Sequence, residues 1–340
     1  MHWLQGELAP GKIHHDSLDY LDQRLMSRRP FMQTRQLGRS GISITALGLG
    51  TNYVGGHNLY TNVDEDEGVR FVQYAIDNGV TSIDTADVYG AGRSEELVGK
   101  AIEGRRDKIM LATKGSILFG DNGAGVNNDP AYLRKALQAS LKRLNVDYVD
   151  LYYIHRHDGS TPVADSIGEL TRFKEEGLIR AIGVSNFETP ELEAAVKVAQ
   201  VDALQSQFNL LQCGVEAKVL PFCAQNDISF IPWGPLAYGL LGGRYARDFK
   251  LPEGDWRSRA GVFDEAQYAS NLDVVDGLKA IAQAKGAPVA HVALQWLLSR
   301  PAVASVICGA KRVDQVKENI ACDAVSLSAD ELASINALLG

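Results

Sequence analysis

From Ile44 onward, short β-rich runs alternate with amphipathic helical runs, a rhythm that selects βα units built around a parallel sheet. The strand candidates are ITALGLG (44–50), VTSID (80–84), IMLAT (109–113), VDLYYI (149–154), IRAIGV (179–184), ALQSQ (203–207), ISFIPW (228–233) and VASVIC (303–308). Helical runs fall between them, for example at 66–78, 94–103, 130–144, 189–199 and 289–298. Eight strands in this order fit an α/β fold of the (β/α)8 TIM-barrel type, closed on itself, better than an open sheet. The 340-residue length suits one such barrel and requires no second domain.

Before the first strand, two strand-like pieces around Gly38 and Gly41 predict an N-terminal β-hairpin beginning near Met32. Residues 1–31 differ in character, carrying His, charge, Pro10 and Pro30, and are read as an appended extension to a barrel domain spanning 32–340. Two segments exceed ordinary connections: 234–266 after the seventh strand and 115–129 after the third. In a barrel, such long loops are expected at the C-terminal face, where function concentrates.

Composition narrows the partners. A net charge of −8 with no block of Lys or Arg argues against nucleic acid or an anionic membrane and leaves a small molecule as the expected ligand. Cys213, Cys223, Cys308 and Cys322 form no CxxC pair and no zinc spacing, consistent with reduced thiols. With no apolar signal region and no apolar run long enough to span a bilayer, a cytoplasmic location is expected. No feature of the chain sets an oligomeric state.

The barrel rule directs attention to the C-terminal ends of the strands. The second strand ends at Asp84, with Tyr89 shortly after it; Lys114 follows the third and His155 the fourth. An acid, a phenol, an amine and an imidazole together suit carbonyl reduction, because the alkoxide made by hydride arrival must be protonated as it forms. Tyr89 is the expected acid. Lys114 is the cation that favours its phenolate, Asp84 holds Lys114, and His155 orients the carbonyl oxygen. Any one of these residues alone reads as packing or solvated surface. His157 lacks a third ligand at a useful spacing, so no metal is expected. No GxGxxG follows a strand, and the GxxxxGK spelling at 6–12 has Ile13 where Ser or Thr belongs.

The motifs RQLGRSG (35–41), GLGT (48–51), DTADVYG (84–90), SEELVGKAI (94–102), DLYYIH (150–155), GLIRAIGVSNF (177–187), GPLAYGLLGG (234–243) and GAKRVDQVKEN (309–319) resemble those of the aldo-keto reductases, over nearly the whole chain from Met32. The resemblance implies an NADP(H)-dependent oxidoreductase for small aldehydes or ketones, with Asp84, Tyr89, Lys114 and His155 as its tetrad. It also implies cofactor contacts. Gly50, Thr51, Asn52 and Asp84 belong to that set, and Ser185, Asn186 and Gln205 match residues that bind the nicotinamide carboxamide. Trp233 matches an aromatic, usually Tyr, that stacks on the nicotinamide. Gly234, Pro235, Leu236, Gly239 and Arg244 match the pyrophosphate loop, and Gly309, Lys311, Arg312, Gln315, Glu318 and Asn319 match the adenosine-phosphate site. Gln315 stands where some branches carry Arg, and Cys308 where Pro is common. Tyr53, His57, Phe119, His157 and Tyr238 are the expected substrate walls, suited to a sugar or aryl aldehyde. Two rival readings are a nucleotide-binding sensor like the potassium-channel beta subunits, which generally carry Asn in place of His155, and a sugar or alcohol dehydrogenase working oxidatively.

Overall fold

The computed structural model describes residues 32–339; the expected extension over 1–31 lies outside the described residues. Eight parallel strands form one sheet: β1 (Leu47–Gly50), β2 (Ser82–Asp84), β3 (Met110–Gly115), β4 (Val149–Ile154), β5 (Ile179–Ser185), β6 (Ala203–Gln207), β7 (Ser229–Trp233) and β8 (Val306–Gly309). Their spatial order is β7-β6-β5-β4-β3-β2-β1-β8. The ends meet at Phe230, which bridges to Val303, accepts from the Ala304 amide at 3.0 Å and donates to the Ala302 carbonyl at 2.8 Å. The barrel is thus nearly closed, as the alternation predicted.

Helices follow the strands: α1 (Glu65–Asp77), α2 (Arg93–Ile102), α3 (Pro130–Leu144), α4 (Val163–Glu175), α5 (Thr189–Val196), α6 (Val219–Gln225), α7 (Glu265–Lys285), α8 (Val289–Leu298), α9 (Val313–Ile320) and α10 (Ala329–Ala337). Local chemistry sets several boundaries. Asp64 caps α1 by accepting from the Glu67 amide, and α1 buries Val69, Phe71, Val72, Ala75 and Ile76 on one face. Asp129 caps α3 ahead of Pro130, and Asn145 ends it in the left-handed conformation.

Two cores result. One lies between strands and helices; the other fills the barrel interior with Met110, Ala112, Leu151, Tyr153, Ala181, Ala203, Ile231, Ala304 and Ile307. Leu37 and Ile44 join the inner core from an antiparallel hairpin, Thr34–Gln36 with Ser43–Thr45. This divides the expected 44–50 strand at Ala46: Ile44 and Thr45 pair with the hairpin, and only Leu47–Gly50 enters the barrel. Gly38, at φ +53°, lies so close to the Asp202 backbone that a Cβ would come within 2.5 Å of its carbonyl oxygen. The hairpin therefore seats tightly under the N-terminal ends of the strands.

The segment after β7 is more ordered than a bare loop. It carries 3-10 turns at Ala237–Gly242 and Trp256–Ala260 before α7 begins. Tyr245 packs edge-on against Phe249 and Phe263 along it, and Phe263 stacks on Tyr268 of α7, supplying an apolar anchor.

Candidate active site

The strand register brings the four expected residues together. Asp84 is the last residue of β2, and Lys114 lies one residue before the end of the adjacent β3. His155 follows β4, its backbone amide donating to the Gly115 carbonyl at 2.8 Å. Tyr89 opens a tight 3-10 turn, Tyr89–Gly92, in the segment that follows β2. Lys114 Nζ donates to Asp84 Oδ1 at 2.5 Å and to the Thr85 carbonyl at 2.9 Å. It sits 5.3 Å from the centroid of the Tyr89 ring, and that ring meets the His155 ring in an edge-on arrangement with centroids 6.0 Å apart. Gln205 holds the other carboxylate oxygen, its Nε2 donating to Asp84 Oδ2 at 2.9 Å.

Burial controls the protonation states. The Tyr89 phenol is pushed above its ordinary range by desolvation, against the pull of Lys114. Proximity to a cation alone predicts the opposite direction; here loss of water outweighs it. Lys114 loses hydration too, but Asp84 and Tyr89 hold it above the ordinary ammonium value, so it stays charged. His155 is held well below the ordinary imidazole value by burial and then by Lys114 and Arg156, so its ring is neutral. Its Nδ1 is buried without a hydrogen-bond partner among the described residues.

Behind these groups lies a second polar layer that the sequence reading missed. Glu95 of α2, fully buried, accepts from Thr113 Oγ1 at 2.5 Å and from Arg143 Nε at 2.7 Å. Asp87 Oδ1 and the Tyr152 hydroxyl are buried without partners among the described residues, and burial, reinforced by Glu95, lifts the Asp87 carboxyl well above its usual range. The acid-rich signal was present in DTADVYG and SEELVGKAI. Which helix residue meets which strand residue is a tertiary fact.

The residues expected to contact cofactor form a track around the mouth. The Thr51 amide and hydroxyl both donate to the Asp84 carbonyl, beside Gly50 at the end of β1. Asn52 donates to the Tyr60 hydroxyl at 3.0 Å. Ser185 ends β5, and Asn186, at φ +56°, donates to Ser185 Oγ and to the His155 carbonyl while accepting from the Trp233 indole N–H at 3.1 Å. Gly234, Pro235, Leu236 and Gly239 follow Trp233 into the 3-10 turn. Arg244 pairs with Glu318 of α9 at 3.0 Å, and Arg312 with Asp314 at 3.1 Å. The Lys311 amide donates to Gln315 Oε1 at 2.7 Å, and Asn319 reaches the Gly309 carbonyl at 3.5 Å. Lys311 Nζ lies over the rings of Tyr53 and Tyr60, at 5.6 and 5.0 Å. These groups fit a dinucleotide: amides and a hydroxyl for a carboxamide, an indole face, glycine-lined backbone, and cations for phosphate.

The expected substrate walls are placed less uniformly. Tyr53 is buried against Tyr60, and its hydroxyl donates to the Asn62 carbonyl at 3.3 Å. Tyr238, itself left-handed at φ +57°, accepts from Gln207 at 3.0 Å. His157 contacts the Thr161 carbonyl and packs on Phe187, Phe119 is half-buried at the start of the 3-10 turn after β3, and His57 is exposed and bound to Glu65 at 2.9 Å. Tyr60, absent from the sequence reading, faces Tyr89, Arg257 and Tyr238, and its burial pushes the phenol up to about 12. Among the described residues no group of His, Cys, Asp and Glu is arranged to hold a metal, and no helix is long and apolar enough to cross a membrane.

Comparison with known proteins identifies the family and matches the fold. The family model "Aldo/keto reductase family" matches residues 46–339. The chain is 32% identical over 311 residues to Aldo-keto reductase YhdN of Bacillus subtilis, covering 91% of this chain and 94% of that one. It is 35% identical over 306 residues to Aldo-keto reductase yakc [NADP(+)] of Schizosaccharomyces pombe, covering 87% and 88%. Among solved structures, a glycerol dehydrogenase from Gluconobacter oxydans superposes with a TM-score of 0.84 at 32% identity, covering 90% of this chain and 94% of that one. An aldo-keto reductase from Klebsiella pneumoniae in complex with NADPH does so at 0.72 and 29%, covering 91% and 96%.

Proposed function

The chain belongs to the aldo/keto reductase family, as an NADP(H)-dependent oxidoreductase acting on carbonyl or CH–OH groups, and we propose that Tyr89, Lys114, Asp84 and His155 carry its chemistry on a small polar aldehyde or ketone. The observation that supports this most is the contact of one buried ammonium, Lys114, with both the Asp84 carboxylate and the Tyr89 ring, with the neutral His155 ring alongside.

In this reading Ser185, Asn186 and Gln205 hold the carboxamide, Trp233 lies against the nicotinamide, and Gly50, Thr51, Asn52, Gly234, Pro235, Leu236, Gly239 and Arg244 line the path toward the pyrophosphate. Gly309, Lys311, Arg312, Gln315, Glu318 and Asn319 take the adenosine end. Lys311 and Arg312 precede α9, where the helix dipole adds to their attraction for a 2'-phosphate. When bound, NADPH supplies the hydride that goes to the carbonyl carbon. Tyr89 gives its hydroxyl proton to the carbonyl oxygen as negative charge develops there, and Lys114 stabilises the phenolate left behind. The neutral imidazole of His155 orients the same oxygen by hydrogen bonding. The Asp84–Lys114 pair keeps the ammonium charged and fixed throughout.

The substrate reading rests on the half-buried Tyr60 and Tyr238, which offer aromatic surface with hydroxyls, and on Tyr53 packed edge-on against Tyr60, beside Phe119, His157 and His57 on the surrounding loops. Such walls accept a glyceraldehyde-sized polyol aldehyde or a small aryl aldehyde. The likeness to a glycerol dehydrogenase favours the same polyol class in the oxidative direction as a second reading. The test is NADPH consumption with 4-nitrobenzaldehyde, methylglyoxal and DL-glyceraldehyde, and NADP+ reduction with glycerol, comparing the native chain with Tyr89→Phe and His155→Asn. Turnover that disappears in Tyr89→Phe supports the assignment. Equal turnover in Tyr89→Phe overturns it, and an even response to all three carbonyls overturns the substrate class.

A further inference from the structure

We propose that Asn58, on the loop between β1 and α1, is a positioning residue for the general acid; this rests on the reading of Tyr89 given above. Tyr89 stands on an awkward piece of chain. The next two residues, Gly90 and Ala91, have φ of +60° and +53°, and Gly92 follows at +96°. A run of left-handed residues is disfavoured for an L-chain and persists where the surroundings impose it. No side chain caps this turn from within.

The imposing group is the Asn58 side chain. Its Oδ1 accepts from the Gly90 amide at 2.8 Å, and its Nδ2 donates to the Val88 carbonyl at 3.0 Å. Those two backbone groups stand on either side of Tyr89. One planar primary amide, bound at both ends, therefore sets both the position and the tilt of the backbone carrying the phenol. The loop and the turn also touch directly: a Cβ at Gly90 would fall 1.9 Å from the Gly55 carbonyl oxygen. The loop is itself fixed at several points, by Asn52 on Tyr60, by Tyr53 on the Asn62 carbonyl, and by Glu65, which binds both His57 and Arg93. Asn58 thus passes a rigid frame on to an otherwise strained turn.

A displacement of about 1 Å in a reacting group is enough to cost as much as ~100-fold in rate. Asn58→Ala is therefore expected to lower kcat roughly tenfold or more. Nucleotide affinity, read by quenching of protein fluorescence on titration with NADPH, should stay within about twofold of native. Proton delivery from a misplaced phenol becomes slower, so the solvent deuterium isotope effect on kcat should rise. Asn58→Asp keeps the acceptor for Gly90 and loses the donor to Val88, so its kcat should fall between the two; it also serves if the alanine variant folds poorly by thermal melt. Native kcat in both variants, or a kcat loss matched by an equal loss of NADPH affinity, would overturn the proposal. Tyr89→Phe run in parallel separates the failures: if it turns over normally the acid assignment fails, whereas if it is inactive and the Asn58 variants are native, only the clamp fails.

Discussion

Lys114 Nζ meets Asp84 Oδ1 at 2.5 Å with the lysine side chain wholly out of solvent and the carboxylate nearly so. Each charge is tolerable there only because of the other. Removing one partner leaves an uncompensated buried charge, so Lys114→Met and Asp84→Asn should each lower stability by ~3–5 kcal/mol. Urea unfolding with each single variant and the double variant checks this: the double should lose less than the sum of the singles. Strict additivity would show that the pair is not coupled.

Turnover should depend on pH with opposite signs in the two directions. Reduction needs Tyr89 protonated, and burial raises that phenol above its ordinary value. The reductive kcat should therefore be flat through neutrality and fall only on the strongly alkaline side, whereas oxidation, which needs the phenolate, should climb with pH. Profiles of kcat in both directions settle it. A reductive rate already falling near neutral pH would mean that Lys114, not burial, dominates the phenol.

Asp87 should behave unlike Asp84. Its folded-state carboxyl lies well above the ordinary value through burial and the nearby Glu95. Below the unfolded value both states are protonated; as pH rises past it, the unfolded chain ionises while the folded one stays neutral, so stability falls with rising pH until the folded group ionises. Asparagine removes this slope. Asp87→Asn is expected to melt at or above the native temperature at neutral pH, and a clear loss of stability would show that the carboxylate is charged in the fold.

Nucleotide choice should pass through Lys311. In the structure it rests on Tyr53 and Tyr60, a cation without a direct carboxylate contact among the described residues, although Asp255 acts on it at longer range. Lys311→Ala should weaken NADPH binding roughly tenfold and leave NADH nearly untouched, since charge-assisted contacts to phosphate are the strong ones. Titration of both nucleotides against both proteins measures the ratio. Equal losses would place Lys311 away from the 2'-phosphate.

The barrel was legible because each strand is a short apolar run set off by a helix of different period, and the ends of VDLYYI and ALQSQ fell at 154 and 207 as observed. The first barrel strand is shorter than the apolar run 44–50 that predicts it. Ile44 and Leu47 are both apolar, and hydrophobicity does not disclose that one pairs with Arg35 and the other enters the barrel. The four residues gathered at the mouth were legible because each ends or follows a strand, so topology alone brings them together. Asn58 and Tyr60 were not, being ordinary loop residues whose meaning comes from what lies 30 residues away at Val88 or faces them across the mouth. Glu95 with Arg143 is hidden for the same reason, a buried carboxylate meeting a half-buried guanidinium between two helices that each read as amphipathic.

The join between β7 and β8 has a further consequence. Elsewhere neighbouring strands are laced by several consecutive rungs, but at this seam, among the described residues, the pairing gathers around Phe230 alone. Breathing of the barrel should begin there, and the amides of Phe230 and Ala304 should exchange with solvent sooner than those inside β4 and β5. The segments leaving the two strands carry Arg244 and Glu318, which already clasp one another. A ligand spanning those segments would act as a stitch, so occupancy should slow exchange along the seam more than anywhere else in the wall.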